Sequence, residues 1–469
     1  MSIYGILPVA GKFIGFFLVP IYARVFQSTE LGQVELITTL VSFLVFLINL
    51  EFYTSIGRYF YEKETIEKQR ILVSTGLWMT VLSTLIVLLF CFLFQDSILR
   101  YYLNDPSLSY VLKIGFIYLA IDGVATYISV IPRYTKKAKQ YVVNNVSSIL
   151  IRVLSTIFCV CVLNTGIVGV LYGHIIGTLS CLLLNAIISK QFLAFSFNFQ
   201  DSKLIFWYSI PLIPSIIIFS IWAPILRKST ELLFSVSVVG LYSFAGRVTS
   251  ITRMFQSALI NAWRPILFEN QNNPSFLKDV KKNSGIVAFG ILGIGSFVSL
   301  FSYELCLYIG TIEYVESFQL FPFLCLAGYF QASTQLRGFG PLLNNRTYIH
   351  SLSIMLSFII SIAFLFFVKS CLGLIGLGIT LVLYDGIQYI VLYLYTKRNI
   401  SAYCSSLIPK WELLILLLFF AMSIASLLRT DIIYRVLLCV IALIIYYYIG
   451  SRNVIIPSKV KNMIVKQKN

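Results

Sequence analysis

Apolar residues run along this chain in long blocks separated by short polar, basic or Gly/Pro-containing breaks. Fourteen blocks stand out: 3–26, 34–54, 71–94, 110–131, 142–163, 167–188, 204–226, 238–260, 284–309, 318–341, 349–368, 373–395, 411–428 and 432–450. About twenty apolar residues in a helix span the hydrocarbon core of a bilayer. The pattern therefore predicts an all-α integral membrane protein with about 14 transmembrane helices. Runs 71–94, 349–368 and 411–428 are nearly free of charge. Run 238–260 is the most polar, with Arg247 and Arg253 inside it.

The breaks carry an orientation signal. Loops after even-numbered runs, with the C-terminal tail, hold 24 Lys/Arg, against 6 in the loops after odd-numbered runs. Basic loops stay in the cytoplasm, so the even loops and both termini are expected there, with the first run as an uncleaved signal-anchor. A missed or invented helix would have inverted the bias downstream of it. The expected arrangement is a multi-pass one with the basic side of the membrane facing the cytoplasm.

Composition agrees. The chain is 58% hydrophobic and 12% charged, about half the charge of a soluble domain. Its net charge of +17 is mostly the cytoplasmic-loop excess, so nucleic acid is not an expected partner. The nine cysteines are scattered without a C-x-x-C pair and read as small apolar residues. No metal or cofactor is expected. No Walker A, H-E-x-x-H or G-x-S-x-G pattern is present, and no outer loop is long enough for a catalytic domain. The chain is not expected to be an enzyme. Without an ATPase module, pumping would need an ion gradient, the membrane potential or a substrate gradient.

The first six runs resemble the next six in outline. Runs 6 and 12 open alike, with "GIVGVLYGHIIG" (166–177) and "GLIGLGITLVLY" (373–384). This predicts two six-helix lobes, 1–190 and 191–400, related by a pseudo-two-fold along the membrane normal, with two further helices and a basic tail in 401–469. Transporters built this way carry substrate between the halves. Gly169, Gly173 and Gly177 form a small-x-x-x-small ladder suited to close helix packing.

Charges inside the runs are costly and point to function. Lys12, Arg152 and Arg247 lie near mid-membrane and Arg253 deeper toward the cytoplasm; with Arg24 they are candidates for cations lining a cavity that takes an anion. Ion pairing with Asp122 or Asp385 is the competing explanation. Those two mid-membrane acids, with Glu51 at the inner end of run 2, are candidates for binding a coupling H+ or Na+.

Several segments resemble one family. "PIYARVFQSTELGQVELITTLVSFL" (20–44), "GRYFYE" (57–62), "PLIPSIII" (211–218) followed by Arg227 and "VGLYSFAGRV" (239–248), "AWRP" (262–265) and "EYVESFQLFPFLCLAGYFQ" (313–331) are similar, in order, to blocks of the Wzx-type O-antigen and capsule repeat-unit flippases. Arg58, Arg227 and Gly240 sit at motif positions. The superfamily also holds multidrug (MATE) antiporters and the lipid II flippase. The resemblance implies a MATE-like V of two lobes plus two helices. It implies alternating-access transfer of an oligosaccharide on undecaprenyl diphosphate, coupled to an ion gradient, alongside a polysaccharide polymerase and chain-length machinery. Lys12 and Arg247 would then meet the diphosphate. A drug or small-solute antiporter, for which an acidic cavity is expected, and a lipid II flippase are the alternatives. One departure is that Leu226 precedes Arg227 where relatives often carry an acid.

Overall fold

The computed structural model describes residues 18–135, 137–210, 213–254, 256, 276–338, 340–343, 346, 348–399 and 410–452. Each run from the second to the fourteenth holds helix, and the described residues contain no strand. Of the first run, only its end is described, as helix over 18–25.

The principal helices begin and end where side chains or backbone geometry can replace lost amide bonds. Helix α1 (Ser28–Asn49) opens with a reciprocal cap between Gln27 and Glu30. It stops at Leu50 and Glu51, both left-handed at φ 40° and 60°, and α2 (Phe52–Tyr59) continues beyond the break. Helix α3 (Ile66–Leu93) is capped by Thr65, whose side chain accepts from the Lys68 amide. Then follow α4 (Ser109–Tyr134), α5 (Ala138–Ile157) and α6 (Ile167–Ser189). A shorter α7 (Phe199–Ser209) is capped by Asn198; α8 (Ile213–Leu233) and α9 (Val236–Val248) come next. Further along lie α10 (Phe276–Leu300), α11 (Ser302–Ile309) and α12 (Phe321–Arg337). Gly373, at φ 51°, breaks a long helical stretch into α13 (Tyr348–Val368) and α14 (Cys371–Asn399). Last are α15 (Lys410–Leu427) and α16 (Ile432–Arg452). Among the described residues, eight helical segments are long and apolar enough to cross a membrane by length and composition, or nine with the α10–α11 pair, which bends by 70°.

The chain forms two compact units, Met1–Ser243 and Phe244–Asn469. In the first unit, α4 and α5 both pack on α6, and α1 and α3 pack on α4. One core joins Leu36, Ile37, Leu112, Phe116, Leu119, Leu171 and Val239. A second, around Phe52, Leu72, Val73, Tyr127, Phe192 and Ile205, sits toward the basic loops. The glycine ladder performs the expected close packing. A Cβ on Gly173 would lie 2.0 Å from Thr156 Oγ1, and one on Gly177 would lie 2.3 Å from Arg152 Cβ. Only glycine lets α6 approach α5 so closely.

In the second unit one core contains Ile291 and Leu292 of α10, Tyr329 of α12 and Tyr389 of α14. Phe419 of α15 and Tyr446 of α16 belong to it as well. The last two helices are thus integral to this unit. Ser296 and the Tyr446 hydroxyl lie 2.9 Å apart, as do Ser302 and Ser426. Arg337 of α12 and Glu412 of α15 form a fully buried ion pair, to which Tyr329 donates a hydrogen bond of 3.0 Å.

Large apolar side chains are left on outward faces, such as Leu82, Leu85, Leu89 and Phe92 on α3 and Ile433, Leu437 and Ile444 on α16. Stripes of this extent are unusual on a soluble monomer and are the surface a lipid solvent calls for.

Candidate functional site

The most highly built polar site among the described residues of the first unit lies at the ends of α1, α8 and α9, opposite the basic loops. Two residues expected from motif positions, Arg227 and Gly240, meet there. Arg227 Nη2 donates to Glu35 Oε2 at 2.9 Å, and both side chains are mostly buried. The guanidinium also lies 6.0 Å from the Tyr242 ring. Beside this pair the backbones touch. A Cβ on Gly240 would lie 1.8 Å from the Ser28 carbonyl oxygen, and one on Gly32 would lie 2.1 Å from that of Val236. Ser28 and Ser237 hydroxyls share a 2.6 Å hydrogen bond. Facing glycines bring the start of α1 against the α8–α9 turn, and the ion pair and hydroxyl pair fasten it.

A second layer supports this clamp. Lys228 donates to Glu231 at 2.8 Å and to the Tyr102 carbonyl at 2.5 Å, while Asn104 donates to the other Glu231 oxygen at 2.9 Å. Burial pushes the Tyr102 phenol above its ordinary range, so it stays neutral.

Glu35 was not among the expected site residues. It stands 192 positions before Arg227, and the missing acid at position 226 had left that arginine unanswered. The available signal was an acid at the very start of an apolar run, with a glycine three residues ahead of it.

The intramembrane charges fall into separate groups. In the first unit, the Arg152 guanidinium and the Tyr118 hydroxyl both face the Asp122 carboxylate. Arg152 Nη2 also donates to Thr178 at 3.1 Å. The Tyr118 ring packs edge-on against His174, centroids 5.2 Å apart. In the second unit, the positive charge of Arg253 acts on Asp385. Arg247 is partly buried on α9. Both mid-membrane acids therefore have an arginine neighbour, which lowers the cost of keeping either charge in the membrane.

Other expected residues stand apart from these groups. Lys12 lies outside the described residues, and Arg24 is exposed. Glu51 is buried at the α1–α2 break and accepts from the Tyr53 hydroxyl at 2.7 Å and from Thr54. Arg58 pairs with Glu62 one turn on, with both side chains exposed; such pairs contribute little.

The architecture is one already seen in solved structures. An inward-facing multidrug resistance MATE family transporter of the MOP superfamily superimposes with a TM-score of 0.67 at 14% identity, covering 84% of this chain and 96% of that one. The lipid II flippase MurJ, in an inward closed conformation, superimposes with a TM-score of 0.66 at 13% identity over 95% and 98%. A Vibrio cholerae MATE transporter, VcmN, gives 0.57 at 15% identity over 87% and 96%. At these identities the likeness establishes the fold alone: an all-α architecture like that of the MATE transporters and MurJ.

A model of the family described as "Polysaccharide biosynthesis protein" matches residues 1–271, more than half of the chain. The chain belongs to that family. No curated protein sequence matches it.

Proposed function

We propose that this protein moves undecaprenyl-diphosphate-linked oligosaccharide repeat units, for O-antigen or capsule, from the cytoplasmic to the outer leaflet of a bacterial inner membrane. Family membership carries this reading, because the fold fits a multidrug antiporter and a lipid II flippase equally well. The basic character of the intramembrane charges supports it. Deep within the runs, Lys12, Arg152, Arg247 and Arg253 stand against Asp122 and Asp385, the balance suited to a diphosphate that must pass the bilayer centre. Charge-assisted hydrogen bonds to its oxygens would offset the desolvation, while the polyprenyl tail stays in lipid.

Alternating access is the proposed mechanism, with 1–190 and 191–400 as the moving lobes, α7 staying seated on the first, and 401–469 travelling with the second. The Gly32–Gly240 clamp would then close the path at the end away from the basic loops. It would separate when that end opens. A coupling ion, H+ or Na+, would bind at Asp122 or Asp385, with Glu51 a further candidate. A polysaccharide polymerase and its chain-length partners would take the product.

The test uses cells lacking their own repeat-unit flippase. Wild type restores surface polysaccharide. Lys12→Ala and Arg247→Ala abolish it at normal membrane levels, and Lys12→Arg retains it. Tolerance to cationic drugs without restored polysaccharide would favour the antiporter. Rescue of cells depleted of their lipid II flippase, again without polysaccharide, would favour that activity.

A further inference from the structure

A hollow of about 510 Å³ opens between α2 and α7, lined by Tyr59, Gln200, Lys203, Leu204, Trp207 and Tyr208. Its size falls within the range of small-molecule sites. It lies at the basic-loop end of the first unit, where Lys63 holds Asp201 of α7. From this geometry we infer a loading site for the head of a polyprenyl-diphosphate glycan, its diphosphate and first sugar, in the leaflet on the basic-loop side. This rests on the flippase reading above.

Three observations support it. The walls are held in place. Ser55 and Ser209 hydroxyls are 2.7 Å apart, Ser55 also reaches the Ile205 carbonyl at 3.3 Å, and the Asn198 amide donates to Thr75 at 3.0 Å. The hollow is thus a fixed feature of α7 seated on α2 and α3. Next, its charge is unbalanced. The one acid of α7, Asp201, is taken by Lys63 at 2.6 Å. Lys203, exposed at the hollow, has no ion-pair partner among the described residues. Last, the remaining lining is the chemistry of a sugar on a phosphate. Tyr59 and Tyr208 meet edge to face, centroids 5.6 Å apart, and Trp207 is 61% exposed. Flat aromatic faces stack on the C–H face of a pyranose. Gln200 offers an amide to hydroxyls, and the Lys203 ammonium can donate to phosphate oxygens. An interfacial aromatic belt accounts for outward Phe199 and Phe206, but not for a pinned concavity with a free ammonium in it.

The probe is a polyprenyl diphosphate carrying one sugar, titrated onto the full-length protein in phosphatidylcholine nanodiscs, with bare polyprenyl diphosphate in parallel. The expected result is that Lys203→Ala weakens both ligands about tenfold, the loss of one charge-assisted contact. Trp207→Ala weakens the sugar-bearing ligand more than the bare one, and Lys203→Arg retains binding. Phe195→Ala, at a fully exposed position outside the hollow, serves as the control. Phosphatidylglycerol in excess does not displace the probe. The inference is overturned if wild type binds and Lys203→Ala and Trp207→Ala bind within twofold of it, or if phosphatidylglycerol competes equally. If wild type binds neither polyprenyl ligand, the flippase reading falls, and the loading site with it.

Discussion

The Arg337–Glu412 pair makes a sharp test of how the second unit is held together. Arg337 is 2% exposed and Glu412 is not exposed at all. Glu412 accepts from Arg337 and from Tyr329, and Arg337 reaches the Tyr389 hydroxyl at 3.4 Å. The pair ties α12 to α15. Removing Glu412 leaves the buried Arg337 charge without its counter-charge, at a cost of about 3–5 kcal/mol. Glu412→Ala should therefore destabilise by that amount, with a further contribution of about 1 kcal/mol from the orphaned Tyr329 hydroxyl. Replacing both partners by apolar residues of similar volume, Arg337→Met with Glu412→Leu, removes the charge problem altogether. That double variant should lie within about 2 kcal/mol of wild type, because no buried charge is then left without a counter-charge. The assay is equilibrium unfolding of the purified protein in mixed micelles against dodecyl sulfate mole fraction, read by circular dichroism. The reasoning fails if Glu412→Ala costs less than about 1 kcal/mol, or if the double variant is as unstable as the sum of the two single ones.

Two further predictions concern close packing. Gly173→Leu should destabilise the first unit by about 1–3 kcal/mol or more, since its first added carbon already meets Thr156 at 2.0 Å; Gly246→Ala, with nothing within 4 Å of the added carbon, should be neutral or gain up to about 1 kcal/mol in the same unfolding assay. At the clamp, Gly240→Val should abolish surface polysaccharide at normal membrane levels, because the side chain would enter the space of the Ser28 carbonyl. Normal export by that variant would show that the two backbones need not meet.

Residues of one helix turn could be related from the sequence, and residues far apart could not. The glycine ladder of α6 was visible because small residues recur every fourth position, and it packs as expected. Arg227 and Gly240 stood out as motif positions, yet their partners Glu35 and Ser28 lie about two hundred residues away. No local spacing connects them. Glu412 was unremarked for a similar reason. It sits at the start of an apolar run, where a lone acid reads as an interface residue, and only the tertiary packing of α15, chiefly on α10, buries it against Arg337.

The sequence by itself determined that this is a many-helix membrane protein, where its helices fall, and which ends carry the basic loops. Those properties follow from the length and polarity of each segment against a fixed bilayer thickness, a comparison made one run at a time. The tertiary structure decided which charges find one another. It set Asp122 toward Arg152, Asp385 toward Arg253 and Glu35 on Arg227. It also broke run 2 at Leu50 and Glu51, and it made a hollow from α2 and α7. Pairing energies depend on distance in space, and in a bundle that distance is set by which helices pack together, which no single run encodes.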